Sequence, residues 1–112
     1  MNELVKYLAR GNHPVEISVR PEKTIRLLKE CIDRGFVHVK FTDTKGGTEL
    51  GVSLDRAATD LSTANFDEGS GSAKFVGSLR LNYVKVRCIA QIDLGSFRGY
   101  GHLEPLDEAP AD

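Results

Sequence analysis

The sequence is short of cysteine, of long apolar runs and of excess charge, and each shortage removes a class of protein. Two cysteines in 112 residues, Cys31 and Cys88, are too few for a disulfide framework. Both fall at positions expected to be apolar, where a free thiol acts as a small hydrophobe. A disulfide joining helix to sheet is the alternative. No apolar run approaches the ~18 residues of a membrane span, and Met1-Asn2-Glu3 begins no apolar leader. The expected compartment is the cytoplasm, which keeps thiols reduced. A net charge of −1 supplies no field toward nucleic acid or an anionic membrane. Zinc-spaced cysteine pairs, a dinucleotide fingerprint and a nucleophile elbow are all missing, so no cofactor is expected.

What is present is alternation. From Phe75 to Glu104 apolar and polar residues trade places with a period of two, the mark of strands with one buried face. Phe75, Leu79 and Leu81 oppose Val76, Ser78 and Arg80. Val84, Val86, Cys88, Ala90 and Ile92 oppose Lys85, Arg87, Ile89, Gln91 and Asp93. Phe97, Gly99, Gly101 and Leu103 oppose Arg98, Tyr100, His102 and Glu104. This predicts three antiparallel strands. The phase slips at Asn82-Tyr83, through a tight turn or a bulge, with usual strand lengths favouring the turn. Gly95-Ser96 suits a type II′ hairpin.

Upstream, Asn2 can cap a short helix striped by Leu4, Val5 and Leu8 and stopped by Gly11. Asn12-His13-Pro14 reads as a connector, because a residue preceding proline is pushed from the helical region. Val15, Ile17 and Val19 then alternate as a short strand. A second helix runs from Pro21 to Gly35 with the stripe Ile25, Leu28 and Ile32. Glu22 with Arg26 and Glu30 with Arg34 are its expected ion pairs. A hairpin follows, Val37, Val39 and Phe41 against Leu50, Val52 and Leu54, turned by Gly46-Gly47. No helix follows those glycines, so they are not a phosphate cradle.

The length suits one domain over 1–106, with 55–72 a mobile surface loop inside it and 107–112 a frayed acidic tail. The expected class is α+β: two N-terminal amphipathic helices on one face of a mostly antiparallel curved sheet, in the order α-β-α-β-β-loop-β-β-β. Val86, Cys88, Ile25, Leu28 and Val39 should share its core.

Chemistry-bearing groups are sparse. His38 and His102 could approach each other if their strands were neighbours, but beyond Glu104 there is no further obvious ligand, so no metal site is expected. The constellation above background is the outer face of the last three strands, gathering Arg80, Lys85, Arg87, Arg98, Tyr100 and His102, with Ile89 as an apolar spot. The sequence does not say what the protein does. The reading it favours is a non-catalytic binding or regulatory module working through contact with a protein partner, not with nucleic acid or membrane. One alternative is a small-molecule cavity between helices and sheet, bounded by Gly77, Gly99, Gly101 and Tyr83. Another is an anion or nucleic-acid platform on the Arg/Tyr face.

Overall fold

The apolar face of the strands is covered by more strands. The computed structural model describes residues 3–106; the expected Asn2 cap and the acidic tail, 107–112, lie outside them. Its elements are α1 (Glu3–Leu8), β1 (His13–Ser18), α2 (Ile25–Arg34), β2 (Phe36–Phe41), β3 (Thr48–Leu54), β4 (Ala64–Asn65), β5 (Ser70–Leu81), β6 (Val84–Asp93) and β7 (Arg98–Pro105). The strands run in the order β3-β2-β1-β7-β6-β5-β4, and β3 pairs again with β5. This closes six strands into an antiparallel barrel, with β4 added outside the ring on β5.

The expected α+β class is therefore wrong. Strand takes 50% of the described residues and helix 15%, and among them no pair of helices lies across a curved sheet. Alternation shows that a face must be buried; it does not show that the sheet can bury that face by curling on itself. The inward residues Val15, Ile17, Val37, Val39, Phe41, Leu50, Val52, Phe75, Val86, Cys88, Ile92 and Leu103 are all buried in one cluster. Leu28 joins them, and Ile25 packs on the cluster half-buried.

The helices stand at opposite ends of the ring. Tyr7 of α1 bonds to Asp43, just past the end of β2, whereas Gly35, closing α2, accepts from the Leu54 amide at the end of β3. Helix α2 starts at Ile25, later than Pro21, because Thr24 takes the N-cap and its hydroxyl accepts from the Leu27 amide. Its ion pairs are Arg26–Glu30 and Lys29–Asp33, not those expected. Strand β1 begins at His13, ahead of the expected start.

The segment 55–72 is largely pinned to β5. The Asp55 amide donates to the Val76 carbonyl, the Thr59 hydroxyl bonds both the amide and the carbonyl of Val76, and Asp60 bridges Lys74. Ala64 and Asn65 then pair with Gly71 and Ser70. These contacts cover a strand edge that would otherwise present open backbone groups.

The turns differ from one another. Asn82 and Tyr83 join β5 to β6 with φ of 50° and 70°, a two-residue turn of the primed kind. A side chain in that left-handed region costs on the order of 1 kcal/mol. Between β6 and β7 the type II′ expectation fails: Phe97, not Gly95, takes the positive φ, and its ring is buried. A Cβ at Gly77, Gly99 or Gly101 would meet neighbouring backbone. A Cβ on Gly77 would collide with the Ser53 carbonyl oxygen, and one on Gly99 with that of Gln91. These glycines admit close backbone approach at the bends of the ring.

Val39→Asp or Leu28→Asp would place an unpaired carboxylate at a fully buried position, costing several kcal/mol of the roughly 5–15 that hold a domain together. Both variants should lose the cooperative thermal transition in circular dichroism. A wild-type melt would show the barrel interior misassigned.

Candidate functional site

Side chains on the outer wall follow from the register. On β7 Leu103 and Gly101 point inward, so Arg98, Tyr100, His102 and Glu104 point out. Strand β1 lies against β7, with Pro14 opposite Tyr100 and Glu16 opposite Arg98. Strand β6 flanks it on the other side, with Gln91 opposite Tyr100 and Asp93 opposite Arg98.

A row of alternating charge results. Lys40 of β2 stands opposite Glu16, Glu16 opposite Arg98, and Arg98 opposite Asp93. The Arg98 Nε lies 3.7 Å from Glu16 Oε1. Asp93 also accepts from the Ser96 amide and hydroxyl, at 2.9 and 3.0 Å, which orders the turn leading into Arg98. Beside this row lies a surface groove of about 580 Å³, lined by Pro14, Glu16, Thr42, Arg98, Tyr100 and the Val15–Gly99 pair. Tyr100 is 63% exposed there.

The six residues singled out from sequence do share the outer wall, but not one place. Arg98 and Tyr100 line the groove. His102 sits next along β7, its Nε2 3.3 Å from Glu104 Oε2, beside a smaller hollow with Ala9, Gly11 and Asn12. Arg87 lies opposite Glu104. Arg80 and Lys85 face each other at the far end of the β5–β6 hairpin. From Lys85 to Gln91, the neighbour of Tyr100, an extended strand covers roughly 20 Å. Tyr83 stands at the hairpin tip, away from Gly99 and Gly101. His38 and His102 do not meet, since β1 lies between their strands. Among the described residues no group of three His, Cys, Asp or Glu side chains could hold a metal, and no helix is long and apolar enough to cross a membrane.

Sequence reasoning missed Pro14, Glu16 and Thr42, because a single sequence carries no sign that β1 neighbours β7. It also missed the polar cluster at His13. His13 is 6% exposed. Its Nδ1 lies 2.8 Å from Asp43 Oδ2 and its Nε2 2.9 Å from the Arg10 carbonyl oxygen. The same Asp43 oxygen accepts from the Tyr7 hydroxyl at 2.9 Å. Both ring nitrogens are thus engaged, one by a carboxylate and one by a backbone carbonyl. A signal existed: Val15-Ile17 alternation, extended back two residues, puts His13 on the inward side.

The two thiols differ in their surroundings. Both are free; Cys31 is half-exposed, contrary to expectation, and burial pushes the Cys88 thiol up to about 12. No family model matches the chain, and no curated protein is significantly similar to it.

Asp43 makes a pH prediction. Burial raises its pKa, but the hydrogen bonds from His13 and Tyr7 outweigh burial and hold it below the ordinary aspartate value. A carboxylate so lowered stabilises the fold above its unfolded pKa of about 4, and that contribution fades as pH falls through the folded value. Asp43→Asn should therefore cost roughly 1–3 kcal/mol at pH 7 and flatten the loss of stability below about pH 4. Thermal melts from pH 7 to pH 2 check this. Parallel curves for the two proteins would contradict it.

Proposed function

We propose that the protein is a non-catalytic binding module acting through protein–protein contact, with the groove between β1 and β7 as its contact site. The observation that carries this reading is Tyr100, largely exposed beside Arg98 and over a formed groove. Tyr and Arg are the residues on which binding energy concentrates at interfaces, since each offers a large contact area with a polar end. The alternating row Lys40-Glu16-Arg98-Asp93 supplies orientation for a partner more than raw affinity. Two of the groups ordinarily used in catalysis are otherwise engaged: the His13 nitrogens are both bonded, and Cys88 is held as a thiol.

The test is a photo-reactive phenylalanine analogue placed at Tyr100, with a control at Glu30 on the exposed side of α2, irradiated in the cell that encodes the protein. A discrete adduct at position 100 and none at 30 is expected. With the captured partner purified, Tyr100→Ala and Arg98→Ala should each cost about 2 kcal/mol or more in binding. An adduct only at position 30, or unchanged affinity in both variants, would remove the groove from the proposal.

A phosphate platform on the same wall has weaker support. Arg98 stands between Glu16 and Asp93, and Arg87 faces Glu104. A mixed-sequence single strand should show no detectable binding in a low-salt titration. Were Arg80, Arg87 and Arg98 all holding phosphates, affinity would fall with salt at a log–log slope of about −2.

A further inference from the structure

The β5–β6 hairpin breaks three local rules at one place, all at its tip. Arg80 and Lys85 are directly opposed across the strands, and like charges in that position repel. Tyr83 takes a φ of 70° at the turn position where glycine is preferred. The Tyr83 side chain is 95% exposed, with no ring contact in the described structure. Among the described residues neither Arg80, Lys85 nor Arg87 has an ion-pair partner, whereas Arg98 has Glu16. The hairpin also runs past the point where the ring closes, although Leu79, Leu81 and Val84 still pack on the core. Pairing with β3 ends at Ser78, and pairing with β7 begins at Val86, so from Arg80 to Lys85 its strands pair with each other, and the one further backbone bond is the Leu106 amide donating to the Lys85 carbonyl. Where a sequence departs from local preference without an internal gain, the gain is expected outside the molecule.

The geometry points to this hairpin tip as a docking arm for an acidic segment of a protein partner, with Tyr83 as the packing contact and Arg80 and Lys85 meeting its carboxylates. An acidic peptide fits better than nucleic acid on extent. The unmatched cations stop at Lys85, since Arg87 faces Glu104 and the wall continues through Ile89 and His102 toward Asp93. A phosphate backbone followed along the wall would soon meet carboxylates. Two or three side-chain carboxylates and one apolar neighbour need no longer track. Arginine holds carboxylates by paired hydrogen bonds, and the tyrosine ring supplies area at small entropic cost. This arm is separate from the groove at Tyr100 and does not depend on it.

The test uses the full chain and a phage-displayed library of random linear peptides, selected on the wild type and counter-selected on Arg80→Glu. Recovered peptides rich in Asp and Glu beside an apolar residue are expected. Their affinity should fall at least about tenfold in Arg80→Glu and in Tyr83→Gly, and hold in Tyr100→Ala. Tyr83→Gly relieves the backbone strain and should melt higher than wild type, so its loss of binding is not loss of fold. Recovery no better than background, peptides without acidic bias, or acidic peptides that bind Tyr83→Gly as wild type would each overturn the assignment. Peptides lost in Tyr100→Ala but kept in Tyr83→Gly would move the site to the groove and overturn it too. A mixed-sequence oligonucleotide that binds at low salt, and less to Arg80→Glu, would give the arm to nucleic acid instead.

Discussion

The ring of strands closes through two residue pairs, Ser53 with Ser78 and Leu54 with Gly77, and the rest of the structure follows from that narrow seam. The backbones meet so closely at Gly77 that a methyl group would collide with the Ser53 carbonyl and the Val52 side chain. Only there does β3 reach β5. On one side of the seam the edge of β5 is taken by the segment 55–65, through Asp55, Thr59, Asp60 and Ala64. On the other side β3 and β5 part, and β5 continues with β6 as its only strand partner. That the end of this hairpin lies outside the ring of pairing is thus a consequence of where closure happens. A longer β3–β5 ladder would have drawn Arg80 and Lys85 into the wall.

How far the sequence could be read depends on range. Alternation assigned the inward residues of β6 and β7 correctly, because side-chain direction is a property of one strand. The β2–β3 hairpin was equally legible, since Gly46 and Gly47, both at positive φ, sit between the apolar runs they connect. What could not be read was which strands are neighbours when the chain between them is long. The β1–β7 and β3–β5 pairings are of that kind, and without them a barrel looks like an open sheet that needs helices to cover it. The same gap hid half the groove: Arg98 and Tyr100 were visible as outward residues of β7, while Pro14, Glu16 and Thr42 had no visible reason to join them.

The His13 cluster shows a different limit. A histidine before a proline was read from local backbone preference, although the alternation of its own strand pointed inward. In the fold the ring ties three segments together: α1 through Tyr7, the turn after β2 through Asp43, and the link before β1 through Arg10. Helix α1 is only six residues long and would not persist alone. Val5 and Leu8 bury it against the end of the barrel, and the shared Asp43 oxygen sets where along that end it rests. Apolar burial is non-directional; the bonds to Asp43 are directional, and placement needs both.

The outer wall divides by how its charges are matched. In the middle each charge has an opposite neighbour: Arg98 lies between Glu16 and Asp93, and His102 beside Glu104. There the charges orient one another, and what is left for a partner is shape and the face of Tyr100. At the hairpin tip the cations oppose each other and the aromatic ring has nothing to rest on. The net charge of −1 hides this, because it averages a neutral wall, a basic tip and acids elsewhere. Short-range matching, not the total, decides which part of such a surface can gain by meeting another molecule. Screening at physiological salt confines each charge to about 8 Å of influence, so the tip and the groove act as separate electrostatic environments on one barrel.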